Sequence, residues 1–312
     1  MGELLIVSSC NGLIRALDKK TGQVRWSYNI RKDGDQTEFH GDTLVTQRLI
    51  VVATDGQMGH LYAFEPLTGA VRWKYRVEWR GLASDIVRSG DNIYAVTLGD
   101  ELVCLDLETG APKWTFRSSA PPKLFFWTSS PAVIGNRAYF GGLDGIAYAV
   151  DARSGKLIWK SNLGARISTS IASRGGDIYV GAANRHLYRL DADSGKVLAD
   201  LAVDAEARWR LIVVSDSLLA FLGPQTLASF DLSLKEARWS AKASPNWTSA
   251  RPYVWRDEVL AGDGAELVAI RTSDGTRVWS HRLPGTIRGI GVSDDVLYVG
   301  TLKGPVFALA HR

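Results

Sequence analysis

The residues of this 312-residue chain with the most obvious capacity for chemistry are five histidines, two cysteines and a scatter of carboxylates. His40, His60, His186, His281 and His311 stand singly, without the close His or Cys spacing that chelates zinc. The chain has no His-Glu-x-x-His, no Cys-x-x-Cys and no Gly-x-Ser-x-Gly, so metalloprotease, thiol-redox and serine-hydrolase chemistry have no motif to rest on. Gly155-Lys156 and Gly195-Lys196 lack the frame of a phosphate-binding loop. Asp33-Gly34-Asp35-Gln36-Thr37-Glu38 opens like a calcium loop but has neither its central glycine nor its distal glutamate. It reads as a solvated insertion. The expectation is no catalytic residue and no metal site.

A different chemistry recurs. Aromatic residues and arginines stand at comparable places along the chain: Phe39-His40, Trp79-Arg80, Phe126-Trp127, Arg166, Arg208-Trp209-Arg210, Trp247 with Arg251, and Arg288. Tryptophan and arginine concentrate binding energy because they join broad apolar contact to directed donors. Arginine also matches carboxylates and phosphates with two parallel N–H groups. The candidate binding set is therefore Trp79, Arg80, Trp127, Arg166, Trp209, Arg210, Trp247, Arg251 and Arg288. The competing expectation is structural: the aromatics pack, and the arginines pair with Asp55, Asp85, Asp100, Asp144 or Asp263.

These residues are positioned by a repeat. Ala16-Leu17-Asp18-Lys19-Lys20-Thr21-Gly22-Gln23-Val24-Arg25-Trp26 returns with Glu65 and Trp73, with Asp106 and Trp114, and with Asp151 and Trp159. It returns in weaker form around Asp191, around Asp231 with Trp239, and around Arg271 with Trp279, and a half-copy closes at Ala308-Leu309-Ala310. A period of about 40 residues is the mark of a repeat architecture. Each unit reads as four short strands; in the fourth these are 128–133, 137–141, 146–151 and 157–161. The Thr-Gly or Ser-Gly pair supplies the positive φ of the third turn, and the preceding acid accepts hydrogen bonds from that turn. The indole that follows suits a wedge between successive sheets, with its N–H seeking a carbonyl. Inner hairpins fall at 4–18, 49–65, 92–106, 137–151, 177–191, 217–231, 257–270 and 296–309, which makes eight units, the first and last incomplete. The expectation is an all-β propeller of eight four-stranded blades, with seven as the alternative, in a single domain spanning 1–312.

The phrase Ala-x-Asp-x-x-Thr-Gly-x-x-x-Trp, matched at every fixed position by Ala16 to Trp26, resembles the tryptophan-docking motif of the quinoprotein-type, PQQ-like β-propeller family. The resemblance spans nearly the whole chain. It implies either a dehydrogenase that uses pyrroloquinoline quinone with calcium, or a member of the non-catalytic BamB-like branch. The large quinone alcohol dehydrogenases carry a vicinal cysteine pair, whereas Cys10 and Cys104 are far apart in sequence. The non-catalytic branch is therefore the closer match. Repeat five has Ala199 where tryptophan belongs, repeat six lacks the Thr-Gly, and repeat seven has Arg271 for the acid. Such departures read as decay that a scaffold tolerates.

Composition sets the remaining bounds. A formal charge of +4 with basic residues in every repeat tells against nucleic-acid binding by bulk electrostatics. No apolar run approaches the length needed to cross a bilayer. Val7-Ser8-Ser9-Cys10 resembles a lipoprotein cleavage site, but the residues before it include Glu3 and are too short for a leader; a hairpin turn at residues 10–12 is expected instead. The function expected is a monomeric, non-catalytic scaffold that engages a protein, a peptide or a small anionic ligand through its Arg/Trp-rich rim. Its expected compartment is the cytoplasm, or the periplasm where a leader has been removed. A PQQ- or metal-dependent oxidoreductase and a sensor domain of a larger protein are the alternatives.

Overall fold

The computed structural model describes residues 2–34, 38–56, 59–78, 81–119, 128–167, 169–242, 250–302 and 304–310. They group into two compact units, Met1–Ile171 and Ala172–Arg312. In each unit consecutive strands pair antiparallel in chain order. Short runs of β-branched and aromatic residues, cut by Gly, Asn and Asp, leave the chain little else to form.

The first unit holds four sheets. The first has β1 (Leu4–Ser9), β2 (Leu13–Asp18) and β3 (Val24–Asn29). The second has β4 (Leu44–Val45), β5 (Ile50–Ala53), β6 (His60–Phe64) and β7 (Val71–Arg76). The third has β8 (Val87–Ser89), β9 (Asn92–Val96), β10 (Glu101–Asp106) and β11 (Pro112–Arg117). The fourth has β12 (Ala132–Ile134), β13 (Arg137–Gly141), β14 (Ile146–Asp151) and β15 (Leu157–Asn162).

The second unit repeats the plan. Its sheets are β16 (Ala172–Arg174) to β19 (Val197–Ala202) around β17 (Asp177–Ala182) and β18 (His186–Asp191), then β20 (Ala207–Val214), β21 (Ser217–Leu222), β22 (Thr226–Asp231) and β23 (Ala237–Lys242). Next come β24 (Tyr253–Trp255), β25 (Glu258–Asp263), β26 (Glu266–Arg271) and β27 (Arg277–Arg282). The last sheet has β28 (Ile287–Ser293), β29 (Val296–Thr301) and β30 (Val306–Ala310).

Eight sheets result, and the first and last have three strands each, as the repeat count requires. One boundary differs from expectation. In the fourth sheet the ladder begins at Ala132 rather than at residue 128, because Pro131 has no N–H to offer it. The residues before Pro131 serve as ties instead: the Gly141 N–H donates to Ser129 Oγ at 3.0 Å, and the Asp85 N–H to Ser130 Oγ at 3.0 Å. The middle strands are the core, with β5, β6, β13, β14 and β21 almost wholly buried. Outer strands such as β11 and β23 alternate between exposed and half-buried residues, the period-2 pattern of a sheet with one wet face.

Four of the docking tryptophans do what their spacing predicts. Nε1 of Trp26 donates to the Pro66 carbonyl at 2.7 Å, Trp73 to Leu107 at 2.9 Å, Trp114 to Ala152 at 3.1 Å and Trp239 to Thr272 at 3.0 Å. Each carbonyl belongs to the residue just after the acid position of the next sheet's third turn. Trp279 departs from this rule and donates to Glu258 Oε2 of its own sheet at 3.0 Å. The turn glycine has a second duty beyond its φ. A Cβ on Gly69, Gly110, Gly155 or Gly275 would lie 2.4–2.7 Å from ring atoms of Trp26, Trp73, Trp114 and Trp239. The indole lies flat on a residue that must have no side chain.

The degraded repeats are compensated. Ala199, where a tryptophan is expected, packs on a cluster that contains Leu234, which lies one residue ahead of the turn-glycine place of the next sheet, carries the turn's positive φ of 54 and is 3% exposed. The Tyr179 hydroxyl donates to the Leu232 carbonyl at 3.1 Å, as the Tyr94 hydroxyl donates to the Ala152 carbonyl beside the Trp114 indole, so this carbonyl keeps a donor without the indole. The two departures therefore meet in one cluster. In repeat seven, Asp274 takes over from the missing acid and accepts from the Thr276 N–H at 2.9 Å and its hydroxyl at 2.6 Å.

Candidate functional site

Antiparallel order puts the start of each sheet's first strand at the same end as the turn between its second and third strands. The Arg/Trp set is carried by these starts, and by the segments leading to them. Trp79, Arg80, Trp127 and Trp247 lie outside the described residues. Arg166 is half-buried in the segment between β15 and β16. Arg251 is half-buried just ahead of β24, and Arg288 is exposed in β28.

Trp209 and Arg210 sit in a break of the β20–β21 ladder, which pairs Arg208 with Phe221 and resumes only at Ile212. Trp209 has φ 59, a left-handed backbone that a bulky side chain rarely adopts. Its ring meets Phe221 edge-on at 6.0 Å, so one side of the indole is spent on packing. The β28–β29 ladder has a matching irregularity that skips Arg288, between Ile287 and Gly289. Bulges re-aim side chains out of the ladder, and two of them fall on candidate residues. Arg208 and Arg288 are the exposed arginines at these places.

Three of the turn acids at the same sheet ends have partners of their own. Asp100 accepts from the Ser118 hydroxyl and from the Leu143 N–H, and burial pushes its carboxyl up to about 6. Asp144 accepts from the Ser119 N–H at 3.0 Å and from the Tyr148 hydroxyl. Asp55 faces His40, with Nδ1 2.5 Å from Oδ2. At the other end of the sheets, basic residues just ahead of the docking tryptophans brace the third turns: Arg25 pairs with Asp18 at 2.6 Å and Lys113 with Asp106 at 3.1 Å. No sequence signal marks these pairings beyond the acid's place one turn earlier.

A quinone site of the large alcohol-dehydrogenase kind would need a vicinal cysteine pair. Cys104 is fully buried in β10, and Cys10 is exposed in the turn between β1 and β2; both are free. Neither offers the vicinal pair on which a quinone stacks, so the thiols present do not fit that group.

Repeated four-stranded units, four of them joined to the next by an indole and a carbonyl, define a β-propeller of PQQ-like repeats. The chain belongs to the family described as outer membrane protein assembly factor BamB, whose model matches residues 10–166, 143–289 and 224–311. The outer membrane protein assembly factor BamB of Yersinia pestis is 26% identical over 341 residues, which cover 99% of this chain and 83% of the relative. The quinohemoprotein alcohol dehydrogenase ADH IIB of Pseudomonas putida is 29% identical over 126 residues, but these cover 35% of this chain and 18% of the enzyme. Among solved structures, that of BamB from Moraxella catarrhalis has a TM-score of 0.81 at 18% identity and covers 99% of this chain and 94% of that one. The fold is an eight-bladed β-propeller, as the repeat count predicts. No helix among the described residues is long and apolar enough to cross a membrane.

Proposed function

We propose that this chain is a non-catalytic scaffold that holds a protein partner during the assembly of outer-membrane proteins. The observation that carries this reading is one of extent: similarity to the assembly factors runs over 99% of the chain, against 35% for the dehydrogenase. A scaffold needs a surface rather than a reaction centre. The sheet ends that bear Trp209, Arg210, Arg251 and Arg288 in the second unit, and Arg166 in the first, suit an extended or acidic segment of a partner. Trp79, Arg80, Trp127 and Trp247 belong to the same proposed set by their place in the repeat. The ladder breaks at 208–212 and 287–289 support it, because they free these side chains from ladder positions. The working compartment under this reading is the periplasm rather than the cytoplasm, and a small anionic ligand is the lesser alternative. Site-specific photo-crosslinkers at positions 208 and 288 should capture one envelope protein in cells, and a crosslinker at Leu67, exposed at the opposite sheet ends, should not. Equal capture from Leu67 would refute the face. Outer-membrane protein levels unaltered by loss of the gene would refute the role.

A further inference from the structure

At the end of the second sheet three segments meet: residues 38–40 ahead of β4, residues 54–55 in the turn between β5 and β6, and residues 81–82 ahead of β8. Isolated bridges pair Glu38 with Asp55 and Asp55 with Gly81, and the Asp55 N–H donates to the Glu38 carbonyl at 3.2 Å. The packing is close. A Cβ on Gly81, which has φ 87, would lie 2.3 Å from the Thr54 carbonyl oxygen and 2.7 Å from Asp55 Cα. Asp55 is therefore clamped from both sides by backbone.

The His40 imidazole stands between two carboxylates. Its Nδ1 is 2.5 Å from Asp55 Oδ2, and its Nε2 is 3.8 Å from Glu38 Oε2. One ligand atom from each of the three residues lies within 4.8 Å of the other two. The Asp55 side chain is only 9% exposed, and its Oδ1 is buried with no hydrogen-bond donor among the described residues. A buried carboxylate oxygen left unmatched is destabilising. The ring cannot relieve it, since one nitrogen serves Oδ2 and the other faces Glu38.

We propose that Glu38, His40 and Asp55 form a binding site for a divalent transition-metal ion of the zinc type. One imidazole nitrogen among carboxylate oxygens suits such an ion better than calcium or magnesium, which take oxygen ligands. Metal–ligand bonds of about 2.0–2.2 Å set two ligands of a tetrahedral ion about 3.3–3.6 Å apart, so the Nδ1–Oδ2 pair must open as its shared proton leaves, and Glu38 must close in. Glu38, whose side chain is 53% exposed, is free to swing inward, whereas Asp55 is fixed. Three protein ligands leave a coordination position for water or for a donor group from outside. The ion would tie the 38–40 segment to the β5–β6 turn.

The test is calorimetric titration of the chelator-treated full chain with Zn2+, together with Co2+ followed by its visible absorption. The expected result is one Zn2+ per chain, an absorption band of N/O-ligated Co2+, and no displacement by excess Mg2+ or Ca2+. Glu38→Gln changes a solvent-facing carboxylate and should weaken Zn2+ by more than about 100-fold, beyond the range of about 10- to 100-fold typical of losing an outer partner, while the melting temperature of the metal-free protein stays unchanged. His40→Gln and Asp55→Asn should abolish binding; if Asp55→Asn does not fold, the other two carry the test. Zn2+ retained at full affinity by the variants would place the ion elsewhere. Folded wild-type protein that takes up none at about 100 μM Zn2+ would reduce the trio to an acid–histidine ion pair. Either result overturns the proposal.

Discussion

Asp100 has φ 62, a buried Oδ1 without a hydrogen-bond donor among the described residues, and a carboxyl raised by burial to about 6. A group whose folded pKa exceeds its unfolded value contributes stability below the unfolded value and loses it as pH rises through the folded one. The window therefore runs from about 4 to about 6, and wild-type protein should lose on the order of 2 kcal/mol across it. Asp100→Asn keeps the left-handed backbone tolerable and abolishes the titration, so its urea midpoint should be flatter over that range; identical slopes would contradict the assignment. The turn acids behave oppositely. Thr109 holds Asp106 and Ser154 holds Asp151 below the ordinary carboxylate range, so their contribution is present above about pH 4 and fades in stronger acid. At this scale the types of the candidate residues were legible, because Trp and Arg recur at set places. Their partners were not. Nothing in the spacing of His40 and Asp55 announces that a bridge between residues 38 and 55 brings them together.

Between elements, the indole and the glycine form one joint, and the joint can be taken apart by substitution. Gly110→Ala incurs the penalty of φ 70 and also drives a methyl into the ring of Trp73 at 2.5 Å, whereas Gly22→Ala, at φ 71, meets nothing within 4 Å. The second should cost about 1–2 kcal/mol from backbone conformation alone, and the first measurably more; equal losses would mean that clearance for the indole is irrelevant. Trp73→Ala, removing an indole 8% exposed, should cost about 3–5 kcal/mol. The exchange at Ala199 and Leu234 makes a sharper case. Ala199→Trp overfills its cluster and should destabilise by about 1–3 kcal/mol, but Leu234→Gly in the same chain should recover much of that, with a coupling energy of about 1–3 kcal/mol in a double-mutant cycle. Strict additivity would return the two departures to the status of unrelated decay. Strands and turns were legible at this scale because each is written in local residue types. Compensation was not, since Ala199, Leu234 and Tyr179 belong to different strands and turns and meet only once the sheets pack.

For the whole molecule, the scaffold proposed above and the dehydrogenase alternative are separated by one assay. Supplied with pyrroloquinoline quinone and Ca2+, the protein should show no dye-linked oxidation of alcohols, and turnover would reinstate the dehydrogenase alternative. If the partner is recognised through arginines, its affinity should fall between about 50 and 300 mM salt as screening shortens the reach of surface charge, and Arg288→Ala should reduce that salt dependence without changing the melting temperature. The amino-acid sequence on its own determined the number of sheets, their strand order and the indole joints, because these follow from short-range periodicity, turn chemistry and a repeat that states itself many times over. Tertiary structure decided which carboxylate meets which donor, where a ladder breaks to release a side chain, and how a missing indole is replaced. Those outcomes depend on atoms brought together from distant parts of the chain, in a packed interior where a shift of an ångström changes the partner.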